Sequence, residues 1–199
     1  MEKANAQSLK FDFVKRWHYL SRQNYAIRNQ PLARALGLKN LAGKKVLDAT
    51  CGSGKDSLLF LFFGLSVHAY ERNLFLAQLI EDALQKGNAD FVLGKVLREK
   101  FFFHRGDCRE FSHEIIYDVI YYDPMYEEKR KTLPRKEMQI IKNIVKDDEN
   151  HDCKAFFEWS IGKSRRLVVK RPLRGRTLFG NPHMTYKGKS TRYDVYLHR

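Results

Sequence analysis

The stretch KVLDATCGSGKDS, residues 45–57, runs from apolar residues into an acid and a glycine-rich turn, and a helical pattern follows it. Val46 and Leu47 read as the end of a buried strand and Asp48 as the residue at its carboxyl edge. Gly52 and Gly54 read as positions where the backbone turns tightly against a ligand. Ser57 takes the third small position. The result, G-x-G-x-x-S, is a near match to a dinucleotide-binding fingerprint, with serine where close helix–strand packing usually takes glycine or alanine. A second strand-like run, residues 66–70, ends at Glu71, 23 positions beyond Asp48. An acid at that spacing accepts hydrogen bonds from a ribose hydroxyl pair. The competing reading is an ordinary βα turn with a surface glutamate.

Outward from this turn, strand and helix patterns alternate. Strands are predicted at 45–49, 66–70, 101–104, 117–122, 166–170 and 191–197, and helices at 55–63, 73–86, 90–98, 134–146 and 153–163. Successive βα units predict a doubly wound, mostly parallel α/β sheet, and the alternating last stretch predicts an antiparallel finish. Residues 1–40 are expected to form an amino-terminal arm and residues 41–199 the main domain. The arm mixes Phe11, Phe13, Trp17, Tyr19 and Tyr25 with Lys15, Arg16, Arg22 and Arg28, and ends in a short helix starting at Pro31 and stopping at Gly37. Aromatics interleaved with arginines suit base stacking or a cover over a ligand, and suit packing onto the core equally well.

The 199 residues are 43% apolar, enough for one substantial core. No run of about 18 apolar residues is present, and MEKANAQSLK lacks the apolar segment of a signal peptide, so a cytoplasmic location without membrane association is expected. Cys51, Cys108 and Cys153 are odd in number and unpaired in spacing, which argues against a disulfide framework or a zinc site. Cys51 lies in the glycine turn, but no neighbouring base marks it as a nucleophile. The net charge is +14 and lopsided: residues 1–128 carry 18 basic and 16 acidic side chains, residues 129–199 carry 19 and 7. A one-sided basic surface predicts a polyphosphate partner.

YYDPMY, residues 121–126, places an acid and a proline at a strand's carboxyl end with an aromatic two residues on. It resembles the D-P-P-Y motif of methyltransferases that act on exocyclic amino groups of bases, with Met125 in place of the second proline. The amino lone pair of a base is delocalised into the ring. Acceptors placed on its two hydrogens favour the localised, nucleophilic geometry needed for attack on a sulfonium methyl. Asp123 and the backbone beside Pro124 would supply the acceptors, and Tyr126 a stacking surface.

LDATCGSGKD, AYER, HRGD, VIYYDPMY, KRKTLPRKEMQI, LVVKRP and YKGKSTRYDVY recur in this order over residues 28–199, and together they resemble the RsmJ family. These are guanine-N2 methyltransferases of bacterial small-subunit (16S) ribosomal RNA that use S-adenosylmethionine. The resemblance implies a Rossmann-like class I methyltransferase fold, with ribosomal RNA or the small ribosomal subunit as partner and no metal. It implies cofactor contacts at Lys55, Asp56, Glu71, Arg72, Gly106, Asp107 and Asp123, beside Asp48, Gly52 and Gly54 of the turn. Lys55 stands where the family usually has arginine, and Gly106 and Asp107 where it has small hydroxyl residues. Lys129, Arg130, Lys131, Arg135 and Lys136, with Lys170 and Arg171 after the next strand, are expected to contact RNA phosphates around an extruded guanine. A DNA adenine or cytosine amino-methyltransferase and a binding module without turnover are the rival readings; a nicotinamide-dependent oxidoreductase ranks last, because no second domain for its substrate is evident.

Overall fold

The computed structural model describes residues 9–23, 30–37, 43–111, 115–124, 141 and 153–198. Helices α1 (Phe13–Arg22) and α2 (Pro31–Leu36) precede β1 (Lys45–Asp48), α3 (Lys55–Phe62), β2 (Ser66–Glu71), α4 (Leu74–Asn88), α5 (Leu93–Lys100) and β3 (Phe101–Arg105). A 3-10 turn (Cys108–Glu110), β4 (Val119–Tyr122), α6 (Cys153–Ile161), β5 (Arg166–Pro172), β6 (Met184–Lys187) and β7 (Thr191–Leu197) follow. The seven strands form one sheet in the order β3-β2-β1-β4-β5-β7-β6. β1 to β5 pair in parallel, and β7 is antiparallel to both β5 and β6. This is the doubly wound, mostly parallel sheet with an antiparallel last strand that the alternation of patterns predicts.

Period-2 alternation divides the strand residues between two apolar layers. Val46, Val67, Val119, Tyr121 and Val168 face the layer that holds buried residues of α1 to α5, whereas Leu47, Tyr70, Ile120, Tyr122 and Val169 face the layer that holds Phe156 of α6. Local signals set the helix ends. The Asp12 side chain caps α1 by accepting from the Lys15 amide, the Asn73 side chain caps α4, and Gly37 closes α2 in the left-handed conformation, φ 67°.

Phe11, Phe13, Trp17 and Leu20 are buried in the same core as the sheet, so the aromatic stripe of the arm is a packing surface. Trp17 meets Phe62 of α3 edge-on with ring centroids 5.7 Å apart. β6, which the sequence pattern does not predict, is an edge strand whose residues alternate between half-buried and exposed. The expected helix at 134–146 lies, apart from Ile141, outside the described residues, as do Tyr126, Lys129, Arg130, Lys131, Arg135 and Lys136. Among the described residues no helix is long and apolar enough to cross a membrane.

Candidate active site at the carboxyl edge of the sheet

From β1 the chain winds to β2 and β3 on one side and later to β4 and β5 on the other, so strand order reverses between β1 and β4. In open α/β sheets ligands bind in the crevice beyond the carboxyl ends of the strands at such a point. A cavity of about 260 Å³ opens there. Its walls bring together Gly52, Lys55, Asp56, Glu71, Arg72, Gly106, Asp107, Asp123, Pro124 and Lys170, all singled out from the sequence.

The glycine turn is held from beneath. Asp48, 1% exposed, accepts from Ser57 Oγ at 2.6 Å and from the Thr50 amide at 3.2 Å. It therefore does not line the cavity, contrary to the ligand contact expected of it; it ties the end of β1 to the first turn of α3. Gly54 is likewise displaced from the expected contact list. Its φ is +70°, and a Cβ there would lie 2.6 Å from Cζ of Phe13, so this glycine makes room for the ring of α1. Gly52 differs: at φ +57°, a Cβ would meet nothing nearer than the Thr50 carbonyl oxygen at 3.9 Å, which leaves the backbone open to the cavity. Cys51 also lines the cavity, but burial first, then the charges of Asp48 and Glu71, push its thiol well up. The protonated thiol is a poor nucleophile.

Burial, partly offset by Ser57, raises Asp48 to about 7 from 3.8. A folded-state value above the unfolded one means that the folded protein binds the proton more tightly, so stability is fully present below pH 4 and declines as pH rises to 7. Asp48→Asn removes this titration. Thermal melts from pH 4 to 8 are expected to show wild type losing stability relative to the variant by on the order of 4 kcal/mol across pH 4–7, with no further relative change above. A constant difference across the range would place the Asp48 proton elsewhere.

Glu71, 8% exposed, accepts from the Gly52 amide through Oε2 at 2.7 Å and from the Asn73 amide through Oε1 at 2.9 Å. The carboxylate is thus fixed between the glycine turn and the cap of α4, facing the cavity. Beyond β3, Gly106 donates its amide to the Glu71 carbonyl at 2.9 Å. Asp107 caps the 3-10 turn and receives the Arg109 guanidinium on both carboxylate oxygens, at 2.7–3.1 Å.

The opposite end of the cavity carries a shared ion cluster. Lys170 Nζ lies 2.8 Å from Asp56 Oδ2 and 2.9 Å from Asp123 Oδ2, and Tyr121 donates its hydroxyl to Asp56 Oδ2 at 2.6 Å. Burial opposes the Lys170 charge, but Asp123 and Asp56 overcome it and raise its pKa well above the ordinary value. Burial also acts to raise both acids. Asp56 nevertheless falls below its ordinary value because Lys170, Tyr121 and Arg16 hold it, whereas Asp123, with Lys170 opposed by Asp56, stays above. Asp123 is therefore the more easily protonated of the two. Its amide donates to Thr50 Oγ1 at 2.7 Å, which locks the carboxyl ends of β1 and β4 together.

Lys170 and Arg171, both expected to contact phosphates, are placed differently by the strand. Lys170 is held inside the cavity by two carboxylates. Arg171, its neighbour on the strand, does not line the cavity; it is 7% exposed and donates Nε to the Arg176 carbonyl at 2.9 Å. Arg16, one of the arm residues read as suiting a cover over a ligand, reaches the wall, and wall residues that the sequence reading leaves out include Thr50, Arg109, Ile141 and Phe156. Thr50 sits inside the quoted turn, where a hydroxyl next to two glycines is a readable signal. Arg109 is held by Asp107 two residues before it, whereas Phe156 reaches the site only through tertiary packing.

The family described as "Putative SAM-dependent methyltransferase" matches residues 1–198. A ribosomal RNA small subunit methyltransferase J from Thioalkalivibrio sulfidiphilus is 33% identical over 195 residues, spanning 95% of this chain and 76% of the relative. A crystal structure of a SAM-dependent methyltransferase from Neisseria gonorrhoeae shares 28% identity and a TM-score of 0.71 over 95% of this chain and 74% of that one. The 16S rRNA N2 G1207 methyltransferase of T. thermophilus, solved with AdoMet and guanosine, shares the fold at 15% identity, with a TM-score of 0.54 over 85% of this chain and 41% of its own.

Proposed function

Because the chain belongs to the SAM-dependent methyltransferase family whose curated members include ribosomal RNA small subunit methyltransferase J, we propose that it methylates the exocyclic N2 amine of a guanine in small-subunit ribosomal RNA. One observation carries this reading. The acid–proline turn of Asp123 and Pro124 and the glycine turn carrying Gly52 open into the same cavity at the sheet's switch point.

When bound, S-adenosylmethionine supplies an electrophilic methyl group on a sulfonium. The residues fit such a ligand: the backbone at Gly52 is open to it, Glu71 is fixed as an acceptor for ribose hydroxyls, and Tyr70, Leu76 and Phe156 add apolar wall. Arg72, Gly106 and Asp107 would stand beside the adenine, and Lys55 and Asp56 toward the methionine portion. Asp123, anchored by Thr50 and Lys170, would accept from the guanine amino group together with backbone at Pro124. That acceptance orients the amine; the proton leaves with or after methyl transfer, so no strong base is needed.

The RNA would approach along the same edge. Antiparallel pairing sets Thr191 opposite Pro172, which brings the β6–β7 turn and the segment after β5 to the carboxyl end of the parallel strands. Arg174, Arg176, Lys187 and Lys189 are exposed there, as phosphate contacts require. Lys129, Arg130, Lys131, Arg135 and Lys136 follow the Asp123–Pro124 turn in sequence and are proposed to extend this basic edge, with Tyr126 as the stacking aromatic.

Glu71→Ala is expected to raise the dissociation constant for S-adenosylmethionine by roughly 10- to 150-fold, the loss of charge-assisted hydrogen bonds to a ribose. Calorimetry on the folded variant checks it, and unchanged affinity would remove Glu71 from the site. The activity itself is tested by tritium transfer from methyl-labelled cofactor into small-subunit RNA, followed by nucleoside analysis. N2-methylguanosine is the expected product. Label in DNA adenine or cytosine would move the enzyme to the other amino-methyltransferase class, and RNA binding without label would make it a binding module.

A further inference from the structure

We infer that Arg16, on the amino-terminal helix α1, forms the subsite for the α-carboxylate of the cofactor's amino-acid end. The inference rests on the reading of the cavity as an S-adenosylmethionine site and adds to it a residue from outside the glycine turn and the strand ends.

Arg16 lines the cavity, and its Nε is buried with no hydrogen-bond partner among the described residues. A buried guanidinium donor without an acceptor is costly unless a ligand supplies one. The other cations of the wall are engaged: Lys170 with Asp56 and Asp123, Arg109 with Asp107, and Lys55 and Arg72 in interactions of their own. The Arg16 guanidinium also lies over the Tyr19 ring, 5.4 Å from its centroid. Such a cation–π contact supplies no acceptor oxygen, so the guanidinium N–H fork is left for a carboxylate.

Position supports the same assignment. Glu71, Gly106 and Asp107 occupy the end of the cavity toward β3, whereas Asp56, Lys170 and Asp123 occupy the end toward β4 and β5. With the ribose on Glu71, the amino-acid end reaches the Asp56 side. There the two acids suit an ammonium group and repel a carboxylate, so the carboxylate needs a cation with a donor still open to it, as Arg16 Nε is. Arg16 belongs to this end, since together with Lys170 and Tyr121 it holds the Asp56 carboxyl low against the effect of burial. The backbone that carries Arg16 is fixed. Asp12 caps the helix at 2.8 Å, Phe13 fills the space over Gly54, and Trp17 packs on Phe62.

The test compares ligands that differ only at this end. Calorimetry would measure S-adenosylhomocysteine, which has the amino-acid end, and 5′-methylthioadenosine, which lacks it, on wild type, Arg16→Met and Arg16→Lys. The expected result for Arg16→Met is a roughly 10- to 100-fold weaker S-adenosylhomocysteine complex with 5′-methylthioadenosine affinity unchanged, the loss of a charge-assisted pair. Arg16→Lys, which keeps the charge and loses the fork, should fall between, and it carries the test alone if Arg16→Met does not fold. Equal weakening of both ligands would mean that α1 only packs, and unchanged affinity for both would mean that Arg16 faces something else; either overturns the assignment. A wild-type protein that bound neither compound would remove the cofactor reading itself, and Arg16's role with it.

Discussion

Asp123→Ala is expected to lower turnover at saturating cofactor by about 100- to 1000-fold, the usual consequence of losing one preorganised polar contact made in the transition state. The carboxylate is set up for this by neighbours rather than by chain stiffness. Its amide is pinned to Thr50 Oγ1 and its Oδ2 is held by Lys170 at 2.9 Å. The variant leaves Asp56 paired with Lys170 and Glu71 paired with Gly52, so the fold and most cofactor affinity should persist. Asp123→Asn keeps one acceptor and should retain more activity. The acid limb of the wild-type pH profile gives a second reading. Burial raises the Asp123 pKa, so turnover should begin to fall at a pH above the usual carboxylate range, and the asparagine variant should lose that limb. Wild-type turnover by the folded Asp123→Ala protein would exclude the amine-orienting mechanism even with the fold intact.

Lys170→Met is expected to act through Asp123 and Asp56 rather than on the substrate. Removing the shared ammonium leaves two carboxylates side by side at one end of the cavity, and one of them must take up a proton. Asp123 lacks the Tyr121 hydroxyl that supports Asp56, so Asp123 is the one that protonates. Turnover at pH 7 should then fall by at least 10-fold, with the acid limb displaced upward so that raising the pH restores part of the rate. Folding should weaken by roughly 3 kcal/mol, the low end for a broken buried pair, because the side chains of the cluster keep 24–32% of their exposure. Lys170→Arg restores a cation and should return the limb toward its original position. A loss of stability with an unmoved pH profile would make the cluster a structural brace only.

Much of this architecture is written locally. The glycine turn, Glu71 after β2 and Asp123–Pro124 after β4 are each signalled by a few adjacent residues, because the end of a buried strand and a tight turn both need particular side chains at fixed spacing. What escapes is whatever depends on residues far apart. Asp48 looks like a ligand contact in sequence, yet its small neighbour nine positions on, Ser57, draws it inward. Lys170 and Arg171 look alike as two bases after a strand, and only the alternation of the sheet sends one into the cavity and buries the other. The helix of α1 is present in the spacing of Phe13, Trp17 and Leu20, each buried, but the interleaved bases mask that period. β6 is a short edge strand between turn-rich segments, where composition carries little pattern to read.

The contact between Phe13 and Gly54 has a thermodynamic consequence. The ring occupies the volume that any side chain at position 54 would need, so α1 can dock only while the turn keeps its shape, and the turn is propped by the docked ring. The part of a ligand's binding free energy that depends on the shape of the turn must then appear, by reciprocity, as tighter seating of α1. A substitution of Phe13 or Trp17, neither of which lines the cavity, would register as altered affinity at a site that it never touches.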